Sequence, residues 1–298
     1  MKPAAFDYHA PTTVGEAASL LSSLGDEAKV LAGGQSLVPM LNMRLARFDH
    51  LVDIGRIETL REVSLTDEAV TLGAMVRQCD VEERRDVAAA VPLLALATPL
   101  IGHFQIRSRG TVGGSIAHAD PAAEYPAVAL ALDADLVAAG ARGERTLGAA
   151  EFFTGTWSTA LSPDELLTAV RFPRWGPRSG FAVEEVARRH GDFAIAGAAV
   201  GAQVVEGTVR RASIAMFGVG ATPVRAGGAE EALLGAGAGG FGRREADEIG
   251  SIAAAGLDPP ADVHASSAAR RRIAASVVSR AVLWAVGTAL GSGEAGRG

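Results

Sequence analysis

The sequence predicts an α+β protein built from two domains. The first 56 residues alternate short apolar strand patterns with amphipathic helix patterns, and residues 180–290 place three strand patterns before helical ones. Between these parts, the segment P-R-W-G-P-R-S-G at 173–180 holds two prolines and two glycines, which interrupt any regular pattern. A chain of 298 residues has room for about two domains. We therefore expect a first domain at 1–176, divided into subdomains 1–56 and 57–176, and a second domain at 180–290.

The composition restricts the partners and the compartment. Apolar residues make up 48% of the chain and charged residues 21%, as in globular proteins, and the net charge of −6 argues against a nucleic-acid partner. Cys79 is the single cysteine, so the chain cannot supply the four thiolates that usually hold an iron–sulfur cluster. The N-terminus lacks the apolar core of a signal peptide, and no apolar run reaches about 18 residues. We expect a cytoplasmic protein without a membrane segment.

The first subdomain is predicted to alternate strands and helices. Thr13 and Glu16 form a capping-box pattern before a helix that ends near Gly25, and its apolar residues recur at helical spacing: Val14, Ala17, Ala18, Leu21 and Leu24. A strand at 29–32, a glycine turn, a second helix beginning at Leu37 and a strand at H-L-V-D-I follow. This order places the glycine turn at the carboxyl end of a strand, where ligands commonly bind.

The second subdomain begins with short strands at L-R-E-V-S-L and A-V-T-L-G-A-M, followed by a helix at 81–90. A helix at 126–132, the paired strands A-D-L-V-A-A and E-R-T-L, and a last strand at 166–172 complete it.

In the second domain we expect three strands, at F-A-V-E-E-V-A-R-R, A-I-A-G-A-A-V-G-A-Q-V-V and V-R-R-A-S-I-A-M-F-G-V-G. Helices at 229–234 and 268–290 follow them. The glycine-rich stretch 235–242 is predicted to be a loop, and residues 291–298 a flexible tail.

Two glycine motifs carry the functional signal. Gly33 and Gly34 follow the apolar residues 30–32 and precede Ser36, which is expected to cap the second helix, and the pair Gly113-Gly114 follows Thr111-Val112 and precedes Ser115. Glycine permits positive φ and lets the backbone approach a ligand closely. Two such bends that face each other would offer backbone N–H donors and helix N-termini to a diphosphate. The pair therefore predicts a nucleotide-cofactor site.

Each motif alone has an ordinary explanation. The chain contains 36 glycines, so either pair by itself is more often a simple turn, and Thr111 and Ser115 would then be helix caps. Neither motif matches the phosphate-binding patterns G-x-x-x-x-G-K-[ST] or G-x-G-x-x-G, which gives no support to a P-loop or a Rossmann site.

The motifs resemble those of the medium, FAD-binding subunit of the molybdenum hydroxylases, the family of the aerobic carbon monoxide dehydrogenase medium subunits and the xanthine dehydrogenase FAD subunits. They are A-G-G-Q-S-L-V-P at 32–39, I-R-S-R-G-T-V-G-G-S-I-A-H-A-D-P-A-A-E-Y-P at 106–126, and R-R-H-G-D-F-A-I-A-G-A-A-V in the second domain. The resemblance implies a vanillyl-alcohol-oxidase/MurB-type (PCMH-type) FAD-binding domain with two subdomains. A small α+β C-terminal domain, with a three-stranded sheet plus helices, would follow it.

The resemblance also implies the cofactor contacts. One side of the FAD diphosphate would be held by Ala32, Gly33, Gly34, Gln35 and Ser36, and the other by Thr111, Val112, Gly113, Gly114 and Ser115. Glu124 would accept hydrogen bonds from the ribose of the AMP half, while Ile101 and Leu161 would lie along the flavin. Relatives that bind flavin covalently often carry histidine at the position of Gln35, so non-covalent FAD is expected here. No residue is expected to be catalytic or to bind a metal.

As a subunit of this family the chain would transfer electrons. They would pass from two [2Fe–2S] clusters of a small partner subunit through FAD to NAD, a quinone or dioxygen, while a large molybdopterin subunit oxidises the substrate. The resemblance implies a dimer of such heterotrimers, and peripheral association with a membrane quinone pool is compatible with it. Two alternatives stay open: a stand-alone, non-covalent FAD-dependent oxidase of the same fold, and a non-enzymatic nucleotide-binding module.

Several polar residues near the second motif have no settled role from the sequence. His103 and His118 flank it and are candidates to approach the flavin, although the six histidines show no metal-ligand spacing. Asp120 precedes a proline and is equally typical of a turn. Arg107 and Arg109 are candidates to neutralise the diphosphate or to contact a partner subunit, or they are simply solvated.

Overall fold

The first subdomain is a small parallel sheet with two helices. The computed structural model describes residues 2–291. Its first elements are strands β1 (Asp7–His9), β2 (Ala28–Leu31) and β3 (His50–Asp53), in the order β1-β3-β2, and helices α1 (Val14–Leu24) and α2 (Leu37–Asn42). Thr13 caps α1 as predicted, because its hydroxyl accepts the Glu16 N–H at 3.2 Å. Glu16 in turn accepts the N–H of Thr12, at 2.8 Å.

The second subdomain is an antiparallel sheet covered by short helices. The strands are β4 (Val63–Leu65), β5 (Ala69–Gly73), β6 (Asp135–Gly140), β7 (Gly143–Gly148), the short pair β8 (Phe153–Gly155) and β9 (Ser158–Thr159), and β10 (Glu165–Pro173). The five-stranded sheet has the order β4-β5-β10-β6-β7. The helices are α3 (Gln78–Glu83), α4 (Arg85–Ala90), α5 (Pro92–Ala97), α6 (Phe104–Arg107), α7 (Val112–His118), α8 (Glu124–Ala131) and α9 (Ala149–Phe152). The helix predicted at 81–90 is thus two helices, which meet at Arg84.

The C-terminal domain is an antiparallel sheet with three helices. The strands β11 (Ser179–Val186), β12 (Ala196–Val205), β13 (Thr208–Phe217) and β14 (Val224–Arg225) lie in this order, so the structure adds a short fourth strand to the three expected. The helices are α10 (Gly227–Leu233), α11 (Arg243–Ala255) and α12 (Ser267–Ala289), of which α11 was not predicted. The predicted tail lies outside the described residues except for Gly291.

One hydrophobic core joins the two domains. It contains side chains from α5 and α8 of the first domain and, from the C-terminal sheet, Phe181, Ala199, Ala215 and Phe217. The opposite face of that sheet packs against α12 in a separate core, and a β-carbon added at Gly180 would lie only 2.0 Å from the carbonyl oxygen of Ala285. The C-terminal sheet is therefore covered on both faces. Within residues 2–291, no helix combines the length and the apolar character needed to cross a membrane.

Candidate cofactor site

The first glycine bend leaves a row of backbone donors unused. β2 ends at Leu31, and the chain turns through Gly33 and Gly34, whose φ of +73° is a left-handed conformation that favours glycine. Within the described chain, the N–H groups of residues 33–36 have no acceptor. The Gln35 side chain folds back, and its Nε2 donates to the Gly33 carbonyl at 3.0 Å. Successive unpaired N–H groups in a turn form a concave site for an anion.

Ser36 does not cap helix α2, although the sequence predicts that it does. It stands at the N-cap position of α2, but its backbone is helical and its hydroxyl makes no capping hydrogen bond. Cap residues normally have extended backbone, which aims the side-chain oxygen at the free N–H groups of the first turn. The Ser36 hydroxyl therefore remains available to a ligand beside the N–H row.

The second glycine pair lies inside a helix rather than in a turn before it. Thr111 caps α7, because its hydroxyl accepts the Gly114 N–H at 3.0 Å. The Gly113 N–H donates to the Ala74 carbonyl at 3.0 Å, and a β-carbon at Gly113 would lie 2.4 Å from the β-carbon of Ala74. The Ser115 N–H donates to the Thr111 carbonyl. This bend therefore contributes close packing and small side chains, while its backbone donors are used within the chain.

The two bends are in direct contact. A β-carbon added at Gly33 would lie 2.2 Å from the carbonyl oxygen of Arg109, and one added at Gly114 would lie 3.3 Å from the β-carbon of Ala32. Real β-carbons essentially never come within 3.0 Å of such atoms. Glycine at position 33 is thus a condition for the two loops to meet, and the convergence expected from the sequence is present.

Glu124 is a buried carboxyl without a positive partner. It is the first residue of α8 and is 6% exposed, and no side chain of the described residues donates a hydrogen bond to it. Burial, and then the nearby charges of Glu185 and Asp120, raise the pKa of Glu124 to about 8. A buried carboxyl of this kind is suited to hydroxyl donors, such as those of a ribose.

The remaining predicted site residues belong to the main hydrophobic core or pack against it. Ile101 is buried, and its carbonyl accepts a hydrogen bond from Arg107 at 3.1 Å. Leu161 follows β9 and packs at the edge of the main core. Val112 is fully buried in the same core. The structure thus brings residues 32–34 together with 109–114.

Three of the residues whose roles the sequence left open contact other side chains or backbone groups of the chain: Arg107, Asp120 and His118. Arg107 forms an ion pair with Glu82 at 2.8 Å, which holds the loop that carries Ile101. Asp120 accepts the Ala122 N–H at 2.9 Å in a turn, and also the indole N–H of Trp157 at 3.1 Å. His118 stacks on Trp157 with ring centroids 6.3 Å apart, and burial lowers its pKa.

The histidines do not form a metal site. His103 packs against His190, with ring centroids 6.0 Å apart. In residues 2–291 there is no group of three or more histidine, cysteine, aspartate or glutamate side chains that could hold a metal ion. Glu185, whose charge acts on Glu124, was not singled out from the sequence. The pair Glu184-Glu185 lies on a predicted strand, where adjacent side chains face opposite sides, so one of the two had to face the protein.

Comparison with known proteins identifies the family. The model of the FAD binding domain in molybdopterin dehydrogenase matches residues 4–175, and that of the CO dehydrogenase flavoprotein C-terminal domain matches residues 181–285. The chain belongs to the molybdopterin dehydrogenase FAD-binding family. It is a flavoprotein with a PCMH-type FAD-binding domain, and a component of an oxidoreductase.

The similarity to individual members spans nearly the whole chain. The carbon monoxide dehydrogenase medium chain of Hydrogenophaga pseudoflava is 39% identical over 282 residues, which cover 95% of this chain and 97% of that one. The 6-hydroxypseudooxynicotine dehydrogenase complex subunit alpha of Paenarthrobacter nicotinovorans is 40% identical over 281 residues, 94% of each chain. The caffeine dehydrogenase subunit beta of a Pseudomonas species is 43% identical over 236 residues, 79% of this chain and 80% of that one.

Solved structures agree with this assignment. A chain in the structure of carbon monoxide dehydrogenase from Hydrogenophaga pseudoflava superposes with a TM-score of 0.93 at 40% identity, covering 97% of this chain and 99% of its own. A chain of quinoline 2-oxidoreductase from Pseudomonas putida 86 gives a TM-score of 0.91 at 34% identity, covering 98% and 100%. The protein is a member of the medium FAD subunits of molybdenum hydroxylases.

Proposed function

We propose that this flavoprotein is the electron-transfer subunit of a heterotrimeric molybdenum hydroxylase. Electrons would enter from [2Fe–2S] clusters of a small partner subunit and leave from FAD to an external acceptor, namely NAD, a quinone or dioxygen. The observation that carries the proposal is the contact of the two glycine bends beside a row of unused backbone N–H groups. Such a row suits the diphosphate of a flavin dinucleotide.

Each part of the site would have a distinct task. The N–H groups of residues 33–36 would bind the diphosphate, and Gly113 and Gly114 would let the opposite wall approach it, with Thr111 holding that helix end in place. Glu124 would accept the ribose hydroxyls of the AMP half. Ile101 and Leu161 would position the flavin ring. Bound FAD supplies the redox chemistry, because it can exchange electrons singly or in pairs.

The chain would hold FAD without a covalent bond. Gln35 stands where a histidine could attach to the flavin, but an amide is not a nucleophile, and its Nε2 is engaged with the Gly33 carbonyl. The chain has one cysteine and so lacks the thiolates for an iron–sulfur cluster of its own. Relatives are named as medium chains or lettered subunits, which supports partner subunits that carry the clusters and the molybdenum cofactor.

Purification alone and with co-expressed partner subunits tests this proposal. The isolated chain should be yellow, should release intact FAD on denaturation, and should show no substrate oxidation by itself. The assembled complex should reduce an added acceptor with its substrate, and FAD-depleted complex should lose acceptor reduction while its clusters are still reduced by substrate. Oxidation of an alcohol or amine by the isolated chain would instead identify a stand-alone oxidase, and a colourless chain that takes up no FAD would contradict both.

A further inference from the structure

Glu185 lies on the face of the C-terminal sheet that packs against the first domain. Side chains alternate between the two faces of β11, and Phe181 and Val183 pack into the core shared with the first domain. Glu184 points the other way and pairs with Arg280 of α12 at 2.9 Å. The alternation therefore directs the Glu185 carboxyl toward the first domain, on the same side as Phe181 and Val183.

The neighbouring strands bring Glu185 close to the start of α8. Glu185 lies opposite Gly197 in the sheet, and Gly197 lies opposite Phe217. The next residue, Gly218, donates its N–H to the Pro121 carbonyl at 2.7 Å, in the loop that leads into Glu124. This contact fixes the loop before α8 against the end of β13, which is separated from β11 by β12, and the charge of Glu185 acts on Glu124. One carboxyl from each domain therefore occupies the same buried region.

Within residues 2–291, neither carboxyl accepts a hydrogen bond from another side chain, and Glu124 interacts only with its own backbone N–H. The Oε2 atom of Glu185 is buried without a hydrogen bond, and Glu124 has no donor side chain within residues 2–291. Asp120 is the other charged group that acts on Glu124, and it is also negative. No lysine or arginine of the described chain compensates the pair. Buried carboxyls with so few donors are costly, so a ligand that supplies hydroxyl groups would stabilise them.

The two groups hold about one proton near neutral pH. Burial raises the pKa of Glu185 to about 7, and it ionises while Glu124 is still protonated. Glu124, with its pKa raised to about 8, then has to ionise beside that negative charge. While this proton is bound, it occupies a carboxyl oxygen that would otherwise accept a hydrogen bond from an incoming hydroxyl group.

We propose that Glu185 is a cofactor-binding residue which, together with Glu124, accepts the two ribose hydroxyls of the AMP half of FAD. This inference rests on the proposed function and adds to it a contact from the second domain. Its consequence is that FAD affinity rises with pH across the range in which the free pair is still partly protonated.

Titration of the FAD-free protein with FAD between pH 6 and pH 9 tests the proposal. Wild-type affinity should rise by roughly tenfold per pH unit up to about pH 8, as for release of one proton, and should level off above it. Glu185→Gln should bind FAD roughly tenfold more weakly at pH 8.5 and should lose the part of the pH dependence that comes from the Glu185 proton, below about pH 7, while Glu124 keeps its own part. Calorimetry in two buffers of different ionisation enthalpy should show fewer protons released by the variant than by the wild type.

Two comparisons make the outcome specific. Glu184→Gln, the adjacent glutamate that pairs with Arg280, should keep wild-type affinity and pH dependence. The FAD analogue with 2′-deoxyadenosine lacks one hydroxyl, so it should bind wild type and Glu185→Gln more nearly alike. Unchanged affinity and unchanged proton release in Glu185→Gln would overturn the inference and leave the proposed function intact. Failure of the wild type to bind FAD at all would overturn both.

Discussion

Glu124 combines a structural cost with the binding role proposed above. A carboxyl whose pKa is raised by folding does not destabilise the folded state at low pH, because it is protonated in both the folded and the unfolded states. Above its ordinary pKa of 4.5, the unfolded chain loses the proton while the folded chain keeps it, up to a pH of about 8. The folded state should therefore lose stability over this interval, by as much as about 1.4 kcal/mol per pH unit for one proton.

Glu124→Gln should remove most of this pH dependence. In the FAD-free protein the variant should be the more stable form at pH 8, by a difference on the order of 2–4 kcal/mol, and the two should converge near pH 5. Urea unfolding at pH 5, 6.5 and 8 measures the effect. A residual slope up to pH 7 is expected from Glu185, whose pKa is raised to about 7. Parallel pH profiles for variant and wild type would contradict the buried-carboxyl assignment.

Glu124→Ala addresses the binding role of the same carboxyl. If the carboxyl accepts ribose hydroxyls, its removal should weaken FAD binding by about 1–3 kcal/mol. Titration of the FAD-free protein, followed by flavin fluorescence, gives the dissociation constant. Glu151→Ala, an exposed glutamate in the first turn of α9, serves as the control and should bind FAD as the wild type does. Equal affinities in all three proteins would remove Glu124 from the site.

The contact between the two glycine bends depends on how the backbones of two loops pack together, and not on a single side chain. Gly33→Ala would place a β-carbon against the Arg109 carbonyl, a backbone atom that cannot rotate away. The variant should therefore separate the bends and lose FAD on purification. Gly114→Val should also lose FAD, because its side chain would press against the Thr111 hydroxyl and the β-carbon of Ala32. The ratio of flavin to protein absorbance measures both.

Gly15→Ala is the matched control for these glycine variants. Gly15 lies on the exposed face of α1, and a β-carbon there has no neighbour within 4 Å. This change should keep the wild-type flavin content and should stabilise the protein by up to about 1 kcal/mol through helix propensity. Full flavin content in Gly33→Ala would show that the bends do not form the diphosphate site.

Helix α1 was predicted from the sequence and helix α11 was not. The pattern of α1 is local, whereas that of α11 depends on its packing against another helix. α1 was predicted because Ala17, Ala18 and Leu21 form an apolar face and Thr13 caps it. α11 has apolar residues at helical spacing, but it was missed because its buried face is made largely of alanine and glycine and it follows a glycine-rich stretch. A β-carbon at Gly250 would lie 2.2 Å from the Ala275 carbonyl, so this glycine permits α11 to pack closely on α12. The sequence alone presents it as a helix breaker.

At the scale of the whole molecule, the proposed cofactor site takes residues from both domains. Its glycine bends were predictable because each is a local motif with a known backbone preference. The contribution of Glu185 was not, because it requires the packing of β11 against the first domain. That packing is carried by the shared core and by Arg225, which donates to the Leu130 carbonyl at 2.9 Å and pairs with Asp133 at 2.7 Å.

The shared core predicts that the two domains unfold together. Phe217 is fully buried in that core, and its ring covers Gly197 on the adjacent strand. Calorimetry of the wild type should therefore show a single transition, which FAD moves upward as a whole by mass action. Phe217→Ala should lower the stability of that transition by about 3–5 kcal/mol through the cavity it leaves. Two separate transitions, with only one shifted by FAD, would show that the domains are independent and that the C-terminal sheet contributes nothing to the site.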